Sequence, residues 1–296
     1  MAIKIDLHVH SHCSDGRMSL EGIFDEAHRR RISVISITDH DSIEGQERAK
    51  VLADQHGIQY LTGLELNVSF THPEYAPRKA VSLDFLAYQY NIHDNPLIRK
   101  LEELREYRRG RAEKILHKIN EELVKEHKRE FSHQDLDEIQ NSVDGAFGRP
   151  HIAEYMVKNG IVTSRQEAFD RYLVKCNVPK MPLSLPEASQ LVRRAGGKIM
   201  LAHPSHPRGT SLVTLAESLS DQQEIIERAM LPHIDGIECW HKGHDAVTTE
   251  AYLRFARRWG LMVSGGSDCH QSPVVMGEPP VPPEVVEQFG LHLPEK

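Results

Sequence analysis

The chain has 296 residues and a formal net charge of −7, with 39% hydrophobic and 27% charged residues. That balance describes one large soluble domain, or one domain carrying a sizeable insertion, and no run approaches the roughly 18 apolar residues of a membrane span. The acidic total argues against a life spent on non-specific nucleic-acid binding, so no stable DNA complex is expected, while a local positive site for a small phosphorylated molecule stays compatible. Cys13, Cys176, Cys239 and Cys269 are scattered without a Cys-x-x-Cys pair, so neither a zinc knuckle nor a disulfide framework is suggested. The opening residues run straight into a strand pattern with no apolar leader, and a cytoplasmic location is expected.

Ile3, Ile5, Leu7 and Val9 alternate with Lys4, Asp6, His8 and His10, which is a period of two. Alternation sets His8 and His10 side by side on one face, where two imidazoles can converge on a metal ion. The turn Ser14-Asp15-Gly16 can bring Asp15 back over the same point. Leu20, Ile23, Phe24 and Ala27 then give a helical spacing behind Ser19 as N-cap. A β-branched run over 32–37 ends in Thr38-Asp39-His40-Asp41, and a helix is expected over 43–56. Strands are expected over 59–68, containing Glu65, and over 81–90, containing Asp84. Strands alternating with helices at this spacing predict parallel βαβ units.

The middle of the chain changes character. A charged helical pattern covers 95–129, and further helices are expected at 132–139, 150–159 and 164–173. Residues 95–185 are expected to form a helical insertion over the site, with 1–94 and 186–296 forming the main domain. The charge of the insertion reads as a solvated surface. Strand–helix order resumes with a helix over 186–195, started by Pro186 and ended by Gly196-Gly197. A strand over 198–202 leads to His203-Pro204, and helices are expected at 211–217 and 222–230. A strand over 235–240 precedes His241 and His244, and a helix covers 248–259. The last strand, 261–266, runs into Ser267-Asp268-Cys269-His270, and the tail with Pro279, Pro280, Pro282 and Pro283 is expected to wrap the surface.

Strand ends therefore carry His8 and His10, His40, Glu65, Asp84, His203, Glu238 with His241, and Asp268 with His270. In a parallel β/α barrel all such ends share one rim, where active sites are built. A core histidine bonded to a carbonyl explains one of these residues but not all of them. The mixed imidazole–carboxylate set suits Zn²⁺, Mn²⁺ or Fe²⁺, and Glu65 is placed to bridge two ions. Such ions lower the pKa of a bound water toward about 7 and neutralise charge on a phosphoryl oxygen. The sequence holds no Gly-x-Ser-x-Gly and no Gly-x4-Gly-Lys, so no serine-hydrolase elbow or P-loop competes.

Asp6-Leu7-His8-Val9-His10-Ser11, Ser14-Asp15-Gly16, Thr38-Asp39-His40-Asp41, Gly63-Leu64-Glu65, Ala202-His203-Pro204 and Gly266-Ser267-Asp268-Cys269-His270 together resemble the PHP (polymerase and histidinol phosphatase) family. The resemblance is closest to its TrpH-like phosphoesterase branch, which includes nucleoside 3′,5′-bisphosphate phosphatases and a 5′-to-3′ exoribonuclease. Gly148-Arg149-Pro150-His151-Ile152-Ala153 looks like that branch's signature. The resemblance implies an α/β fold, a distorted (β/α)7 TIM-like barrel, with two or three divalent ions (Mn, Fe or Zn). By it, His8, His10, Glu65 and Asp268 hold one ion, Asp15, His40 and His270 a second, and Glu65, Asp84 and His203 a third. The branch usually has His where this chain has Asp84. The resemblance also implies that Arg149 and His151 contact substrate phosphate, with His244 as a contact or acid. Lys180, His206 and Arg208 are further phosphate candidates, His206 standing where many relatives seem to carry Arg.

The expected activity is metal-dependent hydrolysis of a nucleotide phosphate ester: the 3′-phosphate of a nucleoside 3′,5′-bisphosphate, or the 5′ end of a short RNA. Both are the same P–O cleavage. Alternatives are a histidinol-phosphatase-like monoester hydrolase, an amidohydrolase-like enzyme acting on C–N bonds, and a non-catalytic module stabilised by metals. No expected strand end carries the lysine that commonly bridges metals in amidohydrolases.

Overall fold

In the computed structural model, residues 3–141, 148–179, 181–207, 210–270 and 274–293 are described. Lys180 and Arg208, two of the phosphate candidates, lie outside these residues. The chain opens with β1 (Lys4–Val9), α1 (Leu20–Arg30), β2 (Ile32–Ile37), α2 (Gln46–His56) and the two-residue β3 (Gln59–Tyr60). β1, β2 and β3 form a parallel sheet in that order. Ser19 caps α1 by accepting from the Gly22 N–H at 3.1 Å, as its position ahead of the apolar spacing predicts.

The second sheet has the order β4 (Gly63–His72), β5 (Ala76–Tyr88), β6 (Lys198–Leu201), β7 (Gly236–His241) and β8 (Met262–Gly266). Here the structure departs from the expected barrel. β4–β5 and β5–β6 pair antiparallel, and among the described residues the strands form two sheets rather than a closed barrel. Two sheets meet instead at two isolated parallel bridges, Val9 with Cys269 and His40 with Glu65. The cause lies in β4 and β5, which join as one long hairpin because only 73–75 separate them. A hairpin reverses the chain, where a parallel unit needs a crossover.

The helices between β5 and β6 are α3 (Asn95–Lys125), α4 (His133–Asn141), α5 (Arg149–Lys158), α6 (Arg165–Ala168), followed by a π-helical turn Phe169–Leu173, and α7 (Leu185–Arg194). α3 serves two apolar cores. Leu97, Leu101 and Leu104 pack beneath the second sheet. Ile115, Leu116, Ile119 and Leu123 pack with Ile152, Met156, Tyr172 and Leu173 in a separate cluster. Beyond β6, only a 3₁₀ turn, Leu212–Thr214, stands where a helix was expected, followed by α8 (Leu219–Ala229) and α9 (Ala246–Trp259). No described helix is long and apolar enough to cross a membrane.

The tail also differs from expectation. Its 3₁₀ helix Pro283–Phe289 buries Val285, Val286 and Phe289 against Ile5, Leu7 and Tyr88. The prolines end regular structure, but the valines and the phenylalanine are apolar enough to complete the core below β1.

Candidate metal centre

β1 is buried throughout from Ile5 to Val9, so Asp6 and His8 lie fully inside the protein. Each polar group has a stated partner. The Asp6 carboxylate accepts from the Ser267 N–H at 2.8 Å and the Gly277 N–H at 2.7 Å. His8 and His10 leave the same face, as the alternation requires, with their Nε2 atoms 3.1 Å apart. The turn after β1 is held by Asp39, which accepts from Ser11 N at 2.7 Å, Ser11 Oγ at 2.6 Å and Ser14 Oγ at 2.6 Å. Gly16 is required there, because a side chain would collide with the His10 carbonyl. The turn delivers Asp15 Oδ1 to 3.1 Å from His270 Nε2 and 3.8 Å from His10 Nδ1.

The strands bring the other residues to the same place. Glu65 Oε2 lies 3.3 Å from His8 Nε2, 3.2 Å from His10 Nε2 and 3.1 Å from His40 Nδ1. Its other oxygen, Oε1, lies 3.1 Å from His203 Nε2. Asp268 Oδ1 lies 3.6 Å from His8 Nε2 and 3.4 Å from His10 Nε2. His270 Nδ1 is 3.2 Å from the same Asp268 oxygen. Asp84 joins His40 and Glu65 in a third group with ligand atoms within 4.8 Å. All nine residues predicted as metal ligands thus share one cluster.

Two of them arrive by a route the sequence did not suggest. Glu65 sits near the start of β4, not at a strand end, and Asp84 lies in mid-β5 opposite Asn67. The hairpin overshoots the level of the other strand ends, so residues inside it face the cluster.

Charges explain why the cluster holds together. Burial opposes ionisation of Glu65, but the His40 and His8 rings overcome it and hold the carboxyl well below its usual range. Asp268 is likewise held low against burial, chiefly by His270. Burial opposes protonation of His203, yet its bond to Glu65 raises it to about 9. Backbone strain gathers here too. His203, Asp268 and Asp41 have φ of 24°, 50° and 45°, the left-handed region that non-glycine residues avoid.

The donor set fits divalent ions. Four ligands about 2.0–2.2 Å from a tetrahedral centre have edges of roughly 3.3–3.6 Å. The edges among His8 Nε2, His10 Nε2 and Glu65 Oε2 run from 3.1 to 3.3 Å, and Asp268 Oδ1 stands 3.6 and 3.4 Å from the two histidine nitrogens. Glu65 Oε2, Asp15 Oδ1, His10 Nδ1 and His203 Nδ1 are buried with no hydrogen-bond partner among the described residues. Buried polar atoms of this kind call for a ligand.

One stretch of the chain, residues 6–176, matches the model of the PHP domain. The chain belongs to the PHP-domain family. Among curated PHP relatives it is similar to a 5′-3′ exoribonuclease of Haemophilus influenzae, at 25% identity over 91% of each chain. It is also similar to a 3′,5′-nucleoside bisphosphate phosphatase of Chromobacterium violaceum, at 26% identity over 90% of this chain and 87% of that one. A solved structure from Bifidobacterium adolescentis, assigned as a metal-dependent phosphoesterase, superposes with a TM-score of 0.78 at 26% identity, covering 97% of this chain and 96% of that one.

Beside the PHP cluster opens a cavity of about 220 Å³, walled by Asp15, His40 and Asp84 on one side and by Arg108, Arg111, Arg149 and His151 on the other. Arg149 was an expected phosphate contact; Arg108 and Arg111 are the larger surprise. Arg108 pairs with Asp41. Arg111, 6% exposed, bonds only neutral acceptors among the described residues, Val178 O at 2.6 Å and Asn177 Oδ1 at 2.7 Å. Arg149 lies 5.6 Å over the Phe169 ring and reaches the Leu173 carbonyl at 3.4 Å. Burial and then the neighbouring guanidinium lower Arg108 and Arg111 to about 10 each. Arg108 and Arg111 are three apart on α3 and so face one way. The run Arg108-Arg109-Gly110-Arg111, unbalanced by acid, was the signal available in the sequence.

The remaining candidates sort by their hydrogen bonds. His151 Nδ1 accepts from the Gly148 N–H at 3.0 Å, so in the neutral ring Nε2 carries the proton. His244 has both nitrogens engaged by backbone, Nδ1 donating to Cys239 O at 3.0 Å and Nε2 accepting from Ser205 N at 3.3 Å. That leaves it no ring nitrogen for substrate. His206 packs its ring 5.2 Å from His241 and 5.9 Å from His203. Sequence reasoning set His241 among the strand-end residues of ligand type but assigned it to no ion. Its Nδ1 accepts from Gly243 N at 3.0 Å, and its Nε2 faces Asp268 Oδ2 at 3.5 Å.

Proposed function

We propose that the chain is a metal-dependent phosphoesterase acting on nucleotides. The substrate is the 3′-phosphate of a nucleoside 3′,5′-bisphosphate or the first phosphodiester at the 5′ end of a short RNA. The observation that carries this reading is the convergence of His8, His10, Glu65 and Asp268 at 3.1 to 3.6 Å around the two histidines, beside a cavity lined by Arg108, Arg111 and Arg149, of which Arg108 pairs with Asp41. Cation ligands facing anion ligands across one small cavity suit a phosphate ester, and the names of the curated relatives agree.

In this reading His8, His10, Glu65 and Asp268 hold one ion, Asp15, His40 and His270 a second, and Glu65, Asp84 and His203 a third. Bound Mn²⁺, Fe²⁺ or Zn²⁺ supplies Lewis acidity, activating water for attack at phosphorus and neutralising charge on phosphoryl oxygens. Glu65, whose Oε2 faces His8 and whose Oε1 faces His203, would be a ligand to two of these ions. Asp84 is the weakest ligand, because both its oxygens already accept from neutral donors, Asn67 Nδ2 at 2.5 Å and Thr210 Oγ1. The third ion is therefore the loosest. Arg149 offers a planar fork to phosphate oxygens, Arg108 and Arg111 add charge, and His151 donates through Nε2. Residues 95–185 act as a helical insertion that supplies this anion-binding wall to the main domain.

The decisive assay measures phosphate and nucleotide release from bisphosphonucleotides, mononucleotides and short 5′-phosphorylated RNAs with Mn²⁺. Turnover of the bisphosphates or the RNA is expected. Ammonia release from amide or amine substrates, with every phosphate ester left intact, overturns the reading.

A further inference from the structure

Glu238 lies in mid-β7, is fully buried, and is not one of the nine clustered ligands. Each of its oxygens has its own partner. Oε1 is 3.0 Å from His8 Nδ1, and Oε2 accepts from the His203 backbone N–H at 2.7 Å. His8 and His203 come from different strand ends and face different oxygens of Glu65.

We infer that Glu238 is a positioning residue that couples two ion sites, fixing the ring of His8 for one and the backbone of His203 for the other. The inference rests on the ligand roles proposed above. A carboxylate facing Nδ1 keeps the proton there and leaves the His8 Nε2 lone pair turned toward His10, Glu65 and Asp268. The second bond acts on conformation. His203 sits at φ 24°, which a histidine holds only when its surroundings impose it, and its N–H is anchored to Glu238. Releasing that N–H lets the backbone relax and withdraws the ring from Glu65. One buried side chain thus ties the two sites together, and neither histidine is set without it.

The chemistry admits no simple replacement. Glutamine has one oxygen and one NH₂, so it accepts from only one of the two N–H groups and sets a donor against the other. Aspartate keeps two acceptors but is shorter by one methylene.

The test is calorimetric titration of Mn²⁺ into chelator-stripped wild-type and Glu238→Gln proteins, with circular dichroism as the fold control. Affinity for both His8-linked and His203-linked ions should fall by about 10–100-fold, the usual effect of removing such a partner. Glu238→Asp should restore part of the loss at one ion only. Unchanged affinities in Glu238→Gln overturn the inference and leave the phosphoesterase reading standing. Loss at one ion with the other untouched overturns the coupling. A wild-type protein that binds no Mn²⁺ ends both. Should Glu238→Gln not fold, ¹⁵N imidazole spectra of the Zn²⁺-loaded wild type decide: a protonated His8 Nδ1 is expected, and an unprotonated one refutes the assignment.

Discussion

Behind Asp15, His40 and Asp84 on the sheet side of the cavity, the Glu65 and Asp268 carboxylates stand 3.2 to 3.6 Å from the His8 and His10 Nε2 atoms, each among several imidazoles. On the helix side, Arg108, Arg111 and Arg149 have one carboxylate partner among the described residues, Asp41. The sheet wall thus sets imidazoles against its carboxylates, whereas the helix wall keeps surplus positive charge at rest. Two walls with unlike charge balance separate two tasks: one gathers cations, and the other waits for an anion.

Breaking the sheet wall should have the largest effect. His8→Ala is expected to lower kcat with Mn²⁺ by on the order of 10³-fold or more, and chelation should abolish turnover reversibly. Steady-state phosphate release before and after adding back Mn²⁺ checks both. Damage to the helix wall should come next. Arg111→Gln is expected to cut kcat/KM for a bisphosphonucleotide by about 10²-fold, since charge-assisted bonds to phosphate are among the strong ones.

Acidity sharpens the contrast. His203 in the metal-free protein is raised from 6.5 to about 9 by Glu65. A raised pKa stabilises the fold fully below the unfolded value and loses that support as pH climbs through the folded one. Thermal melts in chelator should therefore show Tm falling between pH 6.5 and 9. With Mn²⁺ the slope should reverse over that window, because ions compete better once the rings are neutral.

The smaller effects concern residues outside the reacting zone. His244→Ala leaves Ser205 N–H and Cys239 C=O unpaired, so its loss of about 1–3 kcal/mol should appear in denaturant melts rather than in kcat. Arg17→Gln breaks an exposed pair with Glu154 that links the loop after β1 to α5, and should change stability by less than about 0.5 kcal/mol.

What could be read from the residues followed local rules. The alternation along β1 was enough to pair His8 with His10, and Ser19 announced its helix. Pairing between distant strands was not readable, because nothing local distinguishes a βαβ crossover from a hairpin running through 63–88. The barrel expectation failed at that hairpin, although the ligands still converged. Arg149 was legible, but Arg108 and Arg111 hid inside a helix whose charge looked like ordinary solvation, and burial of Arg111 depends on the facing 177–178 segment. The tail misled by composition: its prolines suggested surface, while Phe289 decided its place.

That tail sets an order of events in synthesis. β1 carries the first two ligands, yet its underside is covered by Val285, Val286 and Phe289, and its edge is bridged by Cys269. A nascent chain that has not yet delivered residue 289 beyond the ribosome has an unfinished floor under His8, so ion capture waits for the tail rather than following the emergence of β1.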